Sequence, residues 1–231
     1  MFADDRDENP RRWAVDAQIG GNMLVKSHTE GVGISSSMAG VPSGNTGLFT
    51  KLHAEFYLPN TPFSVKGGYE HEEINAMGGD VSADFDELML GGRYYPLYKT
   101  VPIQPYVGVD ALWNLNGGKD EMLSMNAHFG DGSLDYTRTG MLRQPRLSFA
   151  PVVGADLYVL SCVAFQVEYG FRMAVNSSMD VTSSYVSGRR SYHTTGRLHR
   201  HTLTVGIKAT FPFSFSRRDG VNLIDYILGT D

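Results

Sequence analysis

Three groups of residues in this 231-residue chain have the types and spacing for chemistry. The first is His53, Glu55 and Ser64. A serine, a histidine and a carboxylate are the parts of a nucleophilic site, the base activating the hydroxyl. The second is basic: Arg189, Arg190, Arg197 and Arg200, with His193, His199 and His201 interleaved. Arginine offers planar paired donors that suit phosphate. The histidines have no carboxylate or cysteine beside them at ligand spacing, so no metal site is expected and no cofactor is assigned. The third group is twelve charges that recur with period two: Asp16, Lys51, Glu55, Lys66, Glu70, Glu87, Arg93, Asp110, Asp156, Glu168, Arg172 and Lys208.

That last spacing defines the elements that carry these residues. Apolar and polar residues alternate over Trp13–Gly20, Lys51–Leu58, Phe63–Glu70, Glu87–Tyr94, Val107–Asn114, Phe149–Asp156, Phe165–Arg172 and Leu203–Thr210. Successive strand side chains point to opposite sides, so these are eight β-strands with unlike faces. One face holds Trp13, Val15, Leu88, Leu90, Val205, Ile207 and their like, with no charge and no Asn, Gln, Ser, Thr or His. The other holds the twelve charges and seven glycines: Gly20, Gly68, Gly91, Gly108, Gly154, Gly170 and Gly206. Connections alternate in length. Pro59–Pro62, Leu97–Thr100 and Leu160–Cys162 are short, whereas Met23–Gly47, Glu72–Ala83, Asn116–Pro145 and Asn176–Leu198 are long. An up-and-down antiparallel barrel gathers the short turns at one end and the long loops at the other.

Composition narrows the class. Hydrophobic residues make up 42% and charged residues 19%, too apolar for a disordered chain. No stretch is apolar for the roughly 18 residues a spanning helix needs. A net charge of −5 argues against a nucleic-acid partner. A single cysteine, Cys162, excludes an intramolecular disulfide and every multi-cysteine metal site. Met1–Glu8 is polar and acidic without the apolar region of a signal peptide, so the mature form of an exported chain is expected.

Eight such strands build either a soluble lipocalin-like barrel with the apolar face inward, or a membrane barrel with it outward. Glycine is costly on an exposed strand face but makes room in a narrow lumen, and aromatic residues gather near the strand ends where membrane interfaces would lie. Both point to the membrane. The runs Gly91-Gly92-Arg93-Tyr94-Tyr95-Pro96 and Gln104-Pro105-Tyr106-Val107-Gly108-Val109, with the closing Thr204–Phe211, resemble the outer-membrane β-barrel (OmpA/OmpX-like, porin-family) superfamily over roughly residues 12–213. Members consisting of the barrel alone end on that closing aromatic, whereas this chain continues to Asp231.

The expectation is therefore an all-β chain. Residues 1–11 form a polar N-terminal segment. Residues 12–215 form an eight-stranded antiparallel transmembrane barrel with short periplasmic turns and long extracellular loops. Residues 216–231 form a periplasmic tail with a short amphipathic helix, in which Leu223, Ile224, Tyr226, Ile227 and Leu228 could meet a partner subunit. The twelve charges are expected to pair inside the lumen and plug it. Location in the bacterial outer membrane implies insertion by the β-barrel assembly machinery and contact with outer-membrane lipid, and Arg189, Arg190, Arg197 and Arg200 are candidates for lipopolysaccharide phosphates. The loop Asn116–Pro145, with Met122, Leu123, Met125, Phe129, Leu134 and Met141, either forms an adhesive surface or folds back over the mouth. A non-catalytic structural, adhesive or accessory role follows. The alternatives are a lipid-A-modifying barrel enzyme built on His53, Glu55 and Ser64, although His199-Arg200-His201-Thr202 lacks a His-x-Ser pattern, and a soluble binder of apolar ligands.

Overall fold

The computed structural model of the protein describes residues 11–25, 28–31, 47–76, 81–97, 103–128, 134–185 and 190–212. The expected helix with Leu223, Ile224, Tyr226, Ile227 and Leu228 lies outside the described residues, as do Phe129 and Arg189.

Among the described residues thirteen strands form: β1 (Trp13–Leu24), β2 (His28–Gly31), β3 (Leu48–Tyr57), β4 (Phe63–Ala76), β5 (Val81–Tyr94), β6 (Ile103–Asn114), β7 (Asp120–His128), β8 (Leu134–Arg143), β9 (Leu147–Leu160), β10 (Val163–Val175), β11 (Ser178–Tyr185), β12 (Arg190–Gly196) and β13 (Arg200–Phe211). Eight close into a barrel in the order β1-β13-β10-β9-β6-β5-β4-β3. All its ladders are antiparallel, and the seam is β1 on β13, running from Trp13 opposite Phe211 to Leu24 opposite Arg200. Closure leaves no barrel edge unpaired, which an isolated alternating sheet could not achieve. The strands are 10 to 14 residues long, enough to span a bilayer when tilted.

The side chains sort as the alternation requires. Val15, Leu52, Val65, Leu90, Val109, Val153, Val167 and Val205 point outward and are exposed, while Asp16, Lys51, Lys66, Arg93, Asp110, Asp156, Glu168 and Lys208 point inward and are buried. The inward glycines adjoin wide side chains of the neighbouring strands. A Cβ on Gly108 would stand 2.6 Å from Arg93 Cδ, and one on Gly154 would meet the Tyr106 ring. Turns use asparagine where the backbone goes left-handed: Asn60 between β3 and β4, and Asn176 between β10 and β11, both at φ 58°.

Two expectations about the connections are corrected. Glu72–Ala83 is not a long loop, because β4 and β5 run on as a paired hairpin to Ala76 and Val81. Their inward Ile74, Ala83 and Phe85 bury apolar surface there, which favours continued pairing. The connections Asn116–Pro145 and Asn176–Leu198 are largely strand as well. With β2 they form a second, five-stranded sheet in the order β2-β12-β11-β8-β7 at the long-connection end. Leu142 of β8, Met179 and Val181 of β11, and Leu198 pack with Leu24, Ile74, Ala83, Phe85 and Ala174 in one cluster. The base of the sheet thus closes over the barrel mouth. Ala14, Tyr57, Tyr95 and Tyr106 form a second cluster at the short-turn end.

Candidate functional site

The inward faces of the eight strands converge on a single ionic network. At the short-turn end Lys208 Nζ lies 2.6 Å from Asp156 and 2.8 Å from Glu55. Tyr95 Oη stands 2.9 Å from the same Glu55, and Ser64 donates to it. One level up, Lys66 Nζ meets Asp16 at 3.0 Å. At mid-bore Arg93 grips Asp110 with both terminal nitrogens, at 2.5 and 3.0 Å, and reaches Glu168 at 3.1 Å. Lys51 and the Tyr106 hydroxyl donate to Glu168 at 2.6 and 3.0 Å. Thr204, Gln18 and Gln166 continue the chain to Tyr106 through bonds of 2.6 to 2.8 Å. Beneath the apolar cap, Arg172 pairs with Glu70, Glu72 and Glu87, and Arg200 pairs with Glu72 at 2.6 Å and Glu87 at 3.3 Å.

All twelve charges singled out from the spacing sit in this bore, each no more than 6% exposed. Three further members were missed: Glu72, Arg200 and His53. Glu72 lies one inward step beyond Glu70 and Arg200 one inward step beyond Thr202, both outside the alternating segments, so longer segments would have included them. His53 stood on the polar face, and its ring now bridges the levels, with Nε2 3.0 Å from Glu70 and Nδ1 3.4 Å from Asp16. The bore therefore holds eight carboxylates (Asp16, Glu55, Glu70, Glu72, Glu87, Asp110, Asp156, Glu168) against six cations (Lys51, Lys66, Arg93, Arg172, Arg200, Lys208), with His53 between two of the acids.

Arg200 is a correction. It is fully buried among Glu72, Glu87 and the Phe85 ring, out of reach of any lipid phosphate, because its strand parity turns it inward. Arg197 is exposed near the start of β13, and Arg190 begins β12. The histidines of this stretch have separate partners. His193 meets Asp180 at 2.7 Å, His201 meets the Tyr169 hydroxyl at 2.6 Å, and His199 Nδ1 accepts the Ala174 N–H at 3.0 Å. Ser64 and His53 are both buried and engage different carboxylates, so the structure does not bring them together as a nucleophile and its base.

The outside of the barrel carries the opposite chemistry. Leu90 is 65% exposed, and Ile19, Leu52, Val109, Phe165, Leu203 and Ile207 are all more than half exposed. Aromatic pairs mark the short-turn end, Trp13 with Phe56 at 4.6 Å and Phe63 with Tyr94 at 5.2 Å. Trp113, Tyr169 and Phe171 stand towards the other end. Beyond them the outward positions turn polar, with His71, Glu73, Asp84, Asp86 and His201.

No family model matches the chain, and none of the curated proteins matches it. Among solved structures it is similar to neisserial surface protein A, at 15% identity and a TM-score of 0.47, covering 86% of this chain and 97% of that one. It is also similar to a major outer membrane protein from Thermus thermophilus, at 14% identity and 0.46, covering 87% and 100%. The outer membrane protein OprG from Pseudomonas aeruginosa follows at 12% and 0.40, covering 88% and 97%. The strand pairing itself defines the fold: a closed, eight-stranded antiparallel barrel, apolar outside and ionic inside, which is the architecture of small outer-membrane β-barrels.

Proposed function

We propose that this chain is an integral protein of the bacterial outer membrane. It is non-catalytic and closed to solute flow, and it displays the five-stranded sheet above the membrane for structural, adhesive or accessory-subunit contacts. The β-barrel assembly machinery would insert it. One observation carries this reading: the wall is apolar on its whole outer band while the bore is packed with paired charge between two apolar clusters. Acyl chains match such an exterior, and an ion would have to break buried pairs to cross.

Reconstitution tests both halves. The purified protein is expected to float with phosphatidylcholine vesicles and to give no steady conductance in planar bilayers. A steady open current would overturn the closed bore. A monomer freely soluble without surfactant would overturn the membrane location.

A further inference from the structure

The polar rim at the long-connection end is divided by charge. On β4 and β5 the outward positions are His71, Glu73, Asp84 and Asp86, with Glu73 directly opposite Asp84. Around the start of β13 they are Arg197, His199 and His201. The outward residues flanking this second sector are Met23 of β1 and Phe171 and Met173 of β10, none of them acidic. Asp180, further out on β11, is already held by His193.

The second sector is built as well as basic. The Phe171 ring lies 5.0 Å from that of His201 and 6.4 Å from that of His199, so three rings form one surface. His199 Nδ1 accepts a backbone N–H, which puts its proton on Nε2. The Tyr169 hydroxyl lies 2.6 Å from His201 Nδ1, and in the tautomer whose Nδ1 accepts from the phenol that ring likewise presents Nε2–H. Burial, then the charges of Arg197 and Arg200, hold His199 below its ordinary value, in keeping with a neutral donor. These donors stand beyond Leu203, the last apolar outward residue at this end of β13, while on neighbouring β10 the outward positions stay apolar through Phe171, Met173 and Val175.

We propose that Arg197, His199 and His201 bind the phosphate of an outer-leaflet lipid whose acyl chains lie along Leu203, Val205 and Ile207. This rests on the membrane reading above. Arginine supplies the charge and paired donors, the imidazoles supply two directed N–H groups, and the wall below supplies the apolar contact. Arg200, although in the same stretch of sequence, takes no part.

Native mass spectrometry from detergent tests it, with bisphosphorylated lipid A as the probe. The wild-type protein is expected to retain lipid A about tenfold better than Arg197→Gln/His201→Gln, a factor that the loss of charged hydrogen bonds readily produces. Lipid A stripped of its phosphates should bind both proteins equally weakly. Glu73→Gln, on the acidic sector, should bind as wild type. Equal retention by wild type and the double variant would overturn the site, as would an equal loss in Glu73→Gln. Displacement of lipid A by millimolar inorganic phosphate would show a free-phosphate site and overturn the lipid assignment. Vesicle flotation of the double variant separates the two readings. If it floats like wild type yet loses lipid A, the membrane location stands and the site is supported. If neither protein floats, the location itself fails, and the lipid site with it.

Discussion

Arg172 shows what a single side chain does in this bore. It is the shared partner of Glu70, Glu72 and Glu87, which come from β4 and β5, and it sits over the Phe49 ring at 4.3 Å. Each acid is buried, so none can turn to water if the guanidinium is lost. Removing one member of a buried ionic group typically costs about 3–5 kcal/mol, because an uncompensated charge remains. Arg172→Met keeps much of the side-chain length and removes the charge. It is expected to lower stability by about that amount in denaturant-induced unfolding from lipid vesicles. A loss under about 1 kcal/mol would mean that water reaches the three carboxylates and that the network is open. That Arg172 and Arg93 point into the bore was legible in strand parity alone. Arg200 precedes the alternating segment that begins at Leu203 and sits in an arginine-rich stretch that pointed to a surface, yet its parity and its register opposite Leu24 and Arg172 turn it inward.

At the scale of elements, the eight wall strands were readable because their two faces meet solvents of opposite kind. That contrast forces strict alternation, as in β10, where Phe165, Val167 and Tyr169 alternate with Gln166, Glu168 and Gly170. The five strands of the rim sheet lack it. In β11 the inward Met179 and Val181 give way to Ser183, while the outward positions are Asp180, Thr182 and Ser184. In β8, Thr137, Thr139 and Gly140 blur the pattern further. Among the described residues, the apolar surface this sheet buries lies at its base, so the sequence signal for it is short. The same fact says where the sheet is anchored. Leu142 is 2% exposed in the cluster that joins β8 and β11 to the β4–β5 hairpin. Leu142→Ala should cost about 2–5 kcal/mol locally. Because closure holds the wall independently, amide exchange is expected to quicken in β8 and β11 while the β1–β13 seam keeps its protection. Uniform quickening throughout would show that sheet and barrel unfold as one unit, contrary to this anchoring.

For the whole molecule the decisive quantity is what the outer surface costs in each solvent. A chain with this much exposed Leu, Val, Ile and Phe on one continuous wall would associate in water, whereas hydrocarbon matches it. The two environments respond oppositely to an added charge. Val205 lies mid-strand, opposite Ile19 on one side and Val167 on the other, and points outward. In a bilayer, Val205→Arg places a cation near the midplane at a cost of about 2–4 kcal/mol, while Phe211→Arg, at the end of the same strand, costs about 0–1 kcal/mol. In water both would fall within about 0.5 kcal/mol of wild type, as surface substitutions do. Equilibrium refolding into phosphatidylcholine vesicles, followed by tryptophan fluorescence and by migration of the unboiled protein on a gel, measures both. A steep depth dependence along β13 is the expected result, since between the two rims the wall strands turn their charges inward and leave an apolar band outside. A flat profile would mean that the apolar wall does not meet lipid, and the proposed location, the closed bore as a membrane seal and the lipid-phosphate sector would fall together.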